Sequence, residues 1–242
     1  AIKPNHGMGG AGFVKLELVA EGEMAANNVI IPREEFLNLE SELSGCIVTE
    51  YIRQHDDLRK IWSGSECTLR VIMAKNVGSS KYREASYTCV LAYARFGTSR
   101  TGGASNLSQG GIGVPFDFET GLLNGGGGKR KSSKDENYRF SAHPDTGVSF
   151  SGFRLPNYEQ AKSAVLETCA YLSSLDYFGF DVIISQDGVK FCEINTLPEM
   201  DTGQAVCGPA LVTEEAKKFF ESRKTKAYPK DLLLKLVMEC QE

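Results

Sequence analysis

The sequence is poor in the residues that metal–thiolate and histidine-based chemistries need. It has three histidines, at positions 6, 55 and 143, and seven scattered cysteines without a CxxC pair. Neither residue type has the spacing of a structural zinc site, and a Ser-His-Asp or Cys-His arrangement cannot be argued from so few histidines. We interpret the odd number of cysteines as free thiols in a reducing cytosol, and His6 and His143 as exposed loop residues.

Strong net charge and long apolar runs are also missing. Lysine and arginine total 27 against 31 aspartates and glutamates, which gives a net charge of −4. Bulk electrostatics therefore indicate no nucleic-acid partner. No apolar stretch is long enough to span a membrane, and we expect a cytoplasmic protein. The 242 residues suffice for one large domain or two modest ones with a proper core.

Hydrophobic patterning predicts strands and helices in a mixed order, which is typical of an α+β fold. Strands are predicted near 1–4, 13–20, 45–52, 67–75 and 86–97 and in a hairpin near 178–195, and helices over 32–43, 156–175, Thr213–Arg223 and Lys230–Cys240. Within 156–175, Asn157 is expected to cap the helix together with Gln160. The buried stripe of this helix would be Ala161, Val165, Cys169 and Leu172.

The segment 121–137 consists of glycine, lysine and serine with almost no apolar residue, and it is predicted to be a mobile loop. It carries four cations, Lys129, Arg130, Lys131 and Lys134. They would either close over an anionic acceptor or simply remain solvated.

The stretch GMGGAG fits the pattern G-x-G-x-x-G at Gly7, Gly9 and Gly12. A dinucleotide fingerprint would need this loop to open a helix, whereas the residues that follow it, FVKLELV, alternate as in a strand. A Walker loop would need Gly-Lys-Ser/Thr, which is missing. Two interpretations remain. One is a glycine hairpin that approaches a polyphosphate, with Lys3 ready to meet a phosphate; the other is a flexible surface hairpin with a solvated lysine.

The stretch FGFDVIISQDGVKFCEINTLPEMD predicts a β-hairpin, because SQDG is a turn signal between two strand runs. With a loop at 186–188, Ser185 would pair with Val189, and Asp181 would lie opposite Glu193.

The side-chain period of a strand places Glu193 and Asn195 on one face, so three oxygen-bearing side chains would converge with Asp181. A few oxygen ligands suit Mg²⁺, which keeps waters and takes its remaining ligands from phosphates. The alternative is a hydrogen-bonded hairpin whose acids are solvated. Arg70 lies on the apolar strand at 67–75, where an inward arginine is costly without an anion nearby.

The order of these motifs, from Lys3-Pro4 and the glycine loop through IVTEYI and TLRVIM to the hairpin, resembles that of ATP-grasp enzymes. Two central stretches, GGIGVPFDFETG at 110–121 and HPDTGVSFSGFRLPNYEQA at 143–161, resemble the branch called sugar-transfer-associated ATP-grasp proteins. The stretch EINTLPEM is also similar to the corresponding motif of D-alanine–D-alanine ligases. The resemblance extends from Lys3 to about Pro209.

This resemblance implies an ATP-grasp fold, in which two α+β subdomains clasp a nucleotide. We assign residues 1–51 to the small subdomain with the glycine-rich lid and residues 52–242 to the large subdomain with the metal site. Relatives usually carry a further N-terminal domain that builds part of the acceptor site. We expect this pre-ATP-grasp domain to be absent from the chain, which would then be a fragment.

The resemblance also implies how the nucleotide is bound. Lys3 would contact the α- and β-phosphates, and Glu50 would meet the adenine amino group. His55 or Asp56 would meet the ribose. The main chain along the purine edge would belong to Tyr51, Ile52 and Arg53. The lid over the phosphates would be formed by Gly7, Met8, Gly9, Gly10 and Gly12.

Three residues are the candidate catalytic groups. Arg70 would face the γ-phosphate and the charge that develops in the transition state, while Arg95 and Asn106 lie where relatives hold phosphate or acceptor. The cofactors would be ATP and two Mg²⁺ ions, the latter at positions that match Asp181, Glu193 and Asn195.

Three functions are compatible with such a site. The first is an ATP- and Mg²⁺-dependent ligase that joins a carboxylate to an amine or thiol through an acylphosphate, in polysaccharide or peptide tailoring. The second is a kinase acting on a hydroxyl, for example of a polyol; it would need a general base, for which Asp181 and His143 are candidates. The third is a nucleotide-binding module without turnover. The acceptor, a small molecule or a peptide, stays unidentified, and a homodimer stays open.

Overall fold

The computed structural model describes residues 1–6, 12–21, 23–27, 29–32, 34–35, 38, 44–79, 84–101, 103–128, 139–207 and 213–223. Several predicted features lie outside these ranges. They are the lid residues Gly7, Met8, Gly9 and Gly10, most of the helix over 32–43, the cations at 129–134 and the helix Lys230–Cys240.

The strands, numbered in chain order, are β1 (Ile2–Pro4), β2 (Leu16–Ala20), β3 (Glu23–Ala26), β4 (Val29–Ile31), β5 (Cys46–Val48), β6 (Thr68–Lys75), β7 (Tyr87–Phe96), β8 (Ile112–Pro115), β9 (Leu122–Asn124), β10 (Gly127–Gly128), β11 (Arg139–Phe140), β12 (Ser151–Arg154), β13 (Tyr177–Ser185) and β14 (Gly188–Asn195). The helices are α1 (Asp56–Ile61), α2 (Tyr158–Tyr171), α3 (Asp201–Cys207) and α4 (Glu214–Ser222), with a 3-10 turn at Leu107–Gln109. Strands predominate in the described ranges and pair antiparallel, which confirms the α+β class.

The main sheet of the described chain has seven strands in the order β11-β10-β8-β7-β6-β13-β14. One face packs against α2 and contains most of the core, including Leu69 and Val71 of β6. Because successive side chains of a strand point to opposite faces, Arg70 belongs to the other face. The predicted stripe of α2 is confirmed, since its buried residues include Ala161, Val165 and Cys169, with Leu172 packed beside them.

The prediction that Asn157 caps α2 with its side chain is wrong. Asn157 does stand at the N-cap position, but its backbone is left-handed, with φ 47° and ψ 29°, and its side chain makes no capping hydrogen bond. A capping side chain needs an extended backbone to reach the first free N–H groups of the helix. The helix therefore begins where the sequence indicates, by a different local geometry.

The hairpin of β13 and β14 differs from the predicted one at two points, and their effects on the pairing register cancel. The turn has two residues, so Ser185 pairs with Gly188 rather than with Val189. A bulge at Cys192 then adds one residue to β14, because Phe191 pairs with Val182 and the next pair is Asp181 with Glu193. The cross-strand pair that matters for the site is therefore as predicted.

The prediction of a mobile loop over 121–137 is wrong for its first part. The residues of β9 and β10 form strands, and β10 joins the main sheet beside β8. Gly127 is packed so closely that a Cβ atom there would lie 2.8 Å from Val114 Cγ2. Main-chain pairing and close packing fix this glycine-rich stretch, which composition alone could not indicate.

Two helices pack on the opposite face of the sheet, where a second, smaller apolar cluster includes Ile72, Leu91 and Phe219. The predicted helix Thr213–Arg223 is confirmed as α4, with Thr213 accepting a hydrogen bond from the Ala216 N–H as its cap. The sequence did not predict α3, which has only seven residues and contains Gly203. A Cβ atom at Gly203 would lie 2.4 Å from Leu91 Cδ2, so the glycine allows α3 to approach β7.

The N-terminal region forms two small sheets, β1 with β5 and β2-β3-β4. Lys3 pairs with Ile47 in the first of them, which brings Lys3 beside the strand that leads to Glu50. No helix in the described part of the chain is long and apolar enough to cross a membrane.

Candidate functional site

A cavity of about 410 Å³ brings together residues that are far apart in the chain. This volume is in the usual range for ligand sites. Three larger surface depressions, of about 840, 580 and 450 Å³, contain none of the predicted site residues, so we place the site in the smaller cavity, where the chemistry converges. Six predicted residues line it: Lys3, Glu50, Tyr51, Ile52, Arg95 and Asn106.

Part of the cavity wall is apolar. Phe13 contributes from the N-terminal region and Ile52 from the segment after β5, while Ile183 and Phe191 contribute from the hairpin. Such side chains suit a flat aromatic ring, because they remove it from water without competing for its polar edge. The sequence analysis had not singled out Phe13, Ile183 or Phe191 as site residues; only their place in the folded chain identifies them.

The segment 50–54 forms a second wall of the cavity, with Glu50, Tyr51 and Ile52 in the lining itself. The Tyr51 hydroxyl donates a hydrogen bond to Glu66 Oε1 at 2.8 Å. The Arg53 side chain is turned away towards Glu17 of β2, with which it forms an ion pair, so only its main chain could serve the site. Glu50 is exposed and lies 3.8 Å from the Lys190 ammonium.

Beside the cavity, Asp181 accepts two hydrogen bonds from Arg70 and forms an ion pair with Arg95. Arg70 Nε lies 2.5 Å from Oδ1 and Arg95 Nη2 lies 2.7 Å from Oδ2. Arg95 Nε also donates to Thr68 Oγ1 at 2.8 Å. Burial alone would lower the pKa of Arg70, but the charge and hydrogen bonds of Asp181 outweigh it and raise the pKa above its usual value. The cluster keeps two cations fixed next to the cavity.

The register of the sheet aligns these groups in one row. Glu193, Asp181, Arg70 and Tyr93 are successive cross-strand partners on β14, β13, β6 and β7. Directly opposite residues share a face, so anions and cations meet along this row. The sequence placed Arg70 and Asp181 on different motifs; the fold makes them partners.

The three predicted metal ligands have the chemistry that Mg²⁺ requires. Asp181 and Glu193 are opposite each other, and Asn195 follows on the same face. The Asn195 Nδ2 atom is buried without a hydrogen-bond partner, and a rotated amide would present its oxygen there instead. In the described part of the chain, no group of three His, Cys, Asp or Glu side chains is placed to hold a metal ion. The predicted set differs from such a group because its third member, Asn195, is an amide. The residues fit a magnesium ion by donor type.

The loop that brings Asn106 to the cavity is held by a buried histidine. The expectation that His143 is an exposed loop residue is wrong, since it is fully buried and stacks on Trp62 with ring centroids 5.0 Å apart. Its Nε2 lies 2.8 Å from the Gly97 carbonyl oxygen. Asp145 adds a hydrogen bond of 2.7 Å from the Ser99 hydroxyl. These contacts fix the start of the loop 97–111.

The described cysteines 46, 67, 89, 169 and 192 are free thiols, as expected. Cys192, the bulge residue, lines the cavity, and burial raises the pKa of its thiol.

Comparison with protein families matches residues 1–219 to a family described as sugar-transfer associated ATP-grasp. A comparison with curated proteins found no match. The matched region includes every residue of the cavity and the whole arginine–aspartate cluster.

Proposed function

Since the chain belongs to the sugar-transfer associated ATP-grasp family and is therefore an ATP-dependent enzyme of that type, we propose that it is a ligase that joins a carboxylate to an amine or thiol. A carboxylate oxygen attacks the γ-phosphorus of ATP and ADP leaves. The amine or thiol then attacks the acyl carbon, phosphate leaves, and the proton of the nucleophile passes to solvent. The observation that carries this proposal is the convergence of Lys3, Tyr51 and Arg95 in one cavity next to the Asp181 cluster.

The cavity offers suitable partners for each part of a nucleotide. The apolar side chains Phe13 and Ile183 would pack on the base, and the main chain of 51–53 would pair with its edge. Lys3 and Arg95 are the lysine and arginine of the described lining, so phosphates would lie towards them. We propose that Glu50 meets the base amino group, as its place at this wall allows.

Arg70 and Arg95 are proposed to stabilise the transferring phosphoryl group. Phosphoryl transfer depends mainly on positioning and charge neutralisation, and preorganised cations supply both. Asp181 fixes the two guanidinium groups before the substrate arrives. Asn106, in the loop 97–111 whose start is fixed by His143, would orient the phosphate or the acceptor. Mg²⁺ held by Asp181, Glu193 and Asn195 would neutralise phosphate charge.

The state of the two candidate bases favours the ligase over the kinase. A hydroxyl acceptor needs a general base, whereas a carboxylate acceptor is already ionised at neutral pH. Asp181 is engaged by two arginines, and His143 is buried against the Gly97 carbonyl and accepts from the Asp145 N–H at 3.3 Å. His143 therefore has no free ring lone pair, and Asp181 is committed to the two arginines and to the proposed metal site.

Product analysis tests the proposal. The protein is incubated with ATP, Mg²⁺ and a panel of carboxylates, with hydroxylamine present to trap an acylphosphate as a hydroxamate. A ligase gives ADP, phosphate and hydroxamate. A stable phosphoester without free phosphate would make the protein a kinase, and no ADP with any acceptor would make it a binding module. Asp181→Asn should abolish turnover, whereas Asp187→Asn, in the exposed hairpin turn, should not.

A further inference from the structure

Glu66 lines the cavity, although no motif marks it in the sequence. It lies in the loop between α1 and β6, and its carboxylate accepts two hydrogen bonds from the wall at 50–54. The Tyr51 hydroxyl donates to Oε1 at 2.8 Å, and the Gln54 N–H donates to Oε2 at 2.6 Å. One carboxylate therefore holds this wall at two points, three residues apart.

Gln54 fixes the loop that carries Glu66. The Gln54 side chain is almost fully buried, with 1% of the residue exposed. Its Nε2 donates to the carbonyls of Trp62 and Ser65 at 2.7 and 3.1 Å, and its Oε1 accepts from the Cys67 N–H at 2.8 Å. Because Ser65 and Cys67 are both held, Glu66 between them has a defined direction. Charge-assisted hydrogen bonds donated to such a fixed carboxylate are among the stronger ones.

Tyr51 connects this carboxylate to the N-terminal region. The Lys15 ammonium lies 5.0 Å from the centre of the Tyr51 ring, and the Phe13 ring lies 6.4 Å away. Burial and the charge of Glu66 raise the pKa of the Tyr51 hydroxyl, which keeps it protonated as a donor at neutral pH. The orientation of Tyr51 therefore depends on Glu66 on one side and on residues of the lid side on the other.

Ile52 lies between the two anchored points and lines the cavity. Each residue of this extended wall has one N–H and one carbonyl that can pair with a ligand. Adenine presents an amino donor beside a ring-nitrogen acceptor, whereas guanine presents a carbonyl acceptor beside an N–H donor. A main chain that is fixed in one place can pair with the hydrogen-bonding edge of only one of these bases. A main chain that can shift is able to pair with either.

We propose that Glu66 is a positioning residue that sets the preference of the cavity for adenine over guanine nucleotides. The inference rests on the proposed nucleotide site. Glu66 acts through Tyr51 and Gln54 and need not touch the base. The same carboxylate adds negative charge to this wall, together with Glu50, which disfavours phosphates there and supports one orientation of the nucleotide.

Calorimetric binding of ADP and GDP, with Mg²⁺ present, tests the role of Glu66. We expect Glu66→Ala to weaken ADP binding about tenfold or more, and GDP binding less, so that the preference for ADP falls. Glu66→Gln keeps one acceptor oxygen, so its ADP affinity and its preference for ADP should lie between those of Glu66→Ala and wild type. The matched control is Glu215→Gln on the exposed side of α4, which should bind both nucleotides as wild type does.

The outcomes separate this inference from the function on which it rests. If Glu66→Ala is folded and binds ADP as tightly as wild type, or loses ADP and GDP equally, the positioning role is overturned while the nucleotide site stands. If wild type binds neither nucleotide, both proposals fail. If Glu66→Ala does not fold, Tyr51→Phe and the double variant Tyr51→Phe/Glu66→Gln replace it. If the double variant changes the ADP preference by the sum of the two single changes, Glu66 does not act through Tyr51 and the positioning role is overturned. If the change differs from that sum, the two residues are coupled, which supports the role.

Discussion

Arg70 and Asp181 are cross-strand neighbours on β6 and β13, and one guanidinium holds both oxygens of one carboxylate, with Nε 2.5 Å from Oδ1 and Nη2 3.1 Å from Oδ2. Arg95 joins them at 2.7 Å from Oδ2. The three side chains are only 9–15% exposed. The cluster is therefore part of the structure of the sheet as well as of the site.

Asp181→Asn should destabilise the protein. It leaves two buried guanidinium groups without a counter-charge, and breaking a buried pair costs about 3 kcal/mol or more of unfolding free energy. Denaturant unfolding of the variant measures this loss. Asp187→Asn, in the exposed turn, is the control and should unfold like wild type. An unchanged midpoint for Asp181→Asn would contradict the assignment of a stabilising role to the cluster.

A divalent cation should bind much more tightly with nucleotide than without it. Two guanidinium charges beside Asp181 and Glu193 leave no net negative charge for a metal, until phosphates draw the arginines away. We expect ADP to tighten Mn²⁺ binding about tenfold or more, within the usual range of coupling between sites. Electron paramagnetic resonance of free Mn²⁺ measures this, after correction for the complex that Mn²⁺ forms with ADP in solution. The same Mn²⁺ affinity with and without ADP would count against the proposed metal site, and Glu193→Gln should reduce the coupling.

Gly97→Ala should weaken both the fold and the nucleotide site. A Cβ atom at Gly97 would lie 2.1 Å from the Ser65 hydroxyl and 2.7 Å from the Ala104 carbonyl oxygen, and this carbonyl belongs to the loop that carries Asn106. Overpacking of this kind costs about 1–3 kcal/mol. Thermal unfolding and ADP titration of the same sample measure the two effects. Gly126→Ala is the control, because the nearest atom to its added Cβ would be 3.9 Å away.

Stability should fall above pH 10 in a way that depends on Tyr177. Burial raises the pKa of its hydroxyl from 10 to about 12. The folded state therefore retains a proton that the unfolded state loses between pH 10 and 12, so unfolding becomes easier as the pH rises through this window. Tyr177→Phe should lessen the alkaline loss of unfolding free energy by about 1–2 kcal/mol, allowing for partial solvent screening.

Denaturant unfolding at a series of alkaline pH values provides the comparison. Tyr171→Phe is the matched control, because Tyr171 is 78% exposed. Identical pH profiles for wild type and Tyr177→Phe would show that the Tyr177 hydroxyl titrates as in the unfolded chain.

Secondary structure and the buried face of a helix could be predicted from the local sequence pattern. The burial or site role of a residue could not be predicted where it depends on contacts with residues far away in the chain. The strands that carry Arg70 and Asp181 were predictable from alternation, and so was the stripe of α2. The burial of His143 was not, because it follows from stacking on Trp62, 81 positions earlier in the printed chain. Glu66 was not predictable as a site residue, since nothing marks it until the loop 62–67 wraps around Gln54.

The family match supports the ATP-grasp fold and ATP dependence that the motif order implied. The assignment of individual ligands and the division at residue 51 remain predictions. The register of the hairpin shows how a correct pair can follow from an incorrect turn: a shorter turn and a bulge displace the strands by one residue each, in opposite senses. Pattern rules fix which face a residue prefers, but only tertiary packing determines where the extra residue is accommodated.

The bulge at Cys192 also makes the site sensitive to the count of residues in β14. Upstream of it, Phe191 packs in the core beneath α2; downstream of it, Glu193 lies on the polar face with Asp181. Cys192 is the residue that the bulge leaves without a partner on β13, so deleting it would join Phe191 to Glu193 in regular alternation and keep Glu193 opposite Asp181. If the intact strand paired without a bulge, Glu193 and Asn195 would instead be directed into hydrocarbon and Ile194 towards the arginines. For this strand, losing the bulge residue is therefore a milder change than losing or inserting a residue elsewhere.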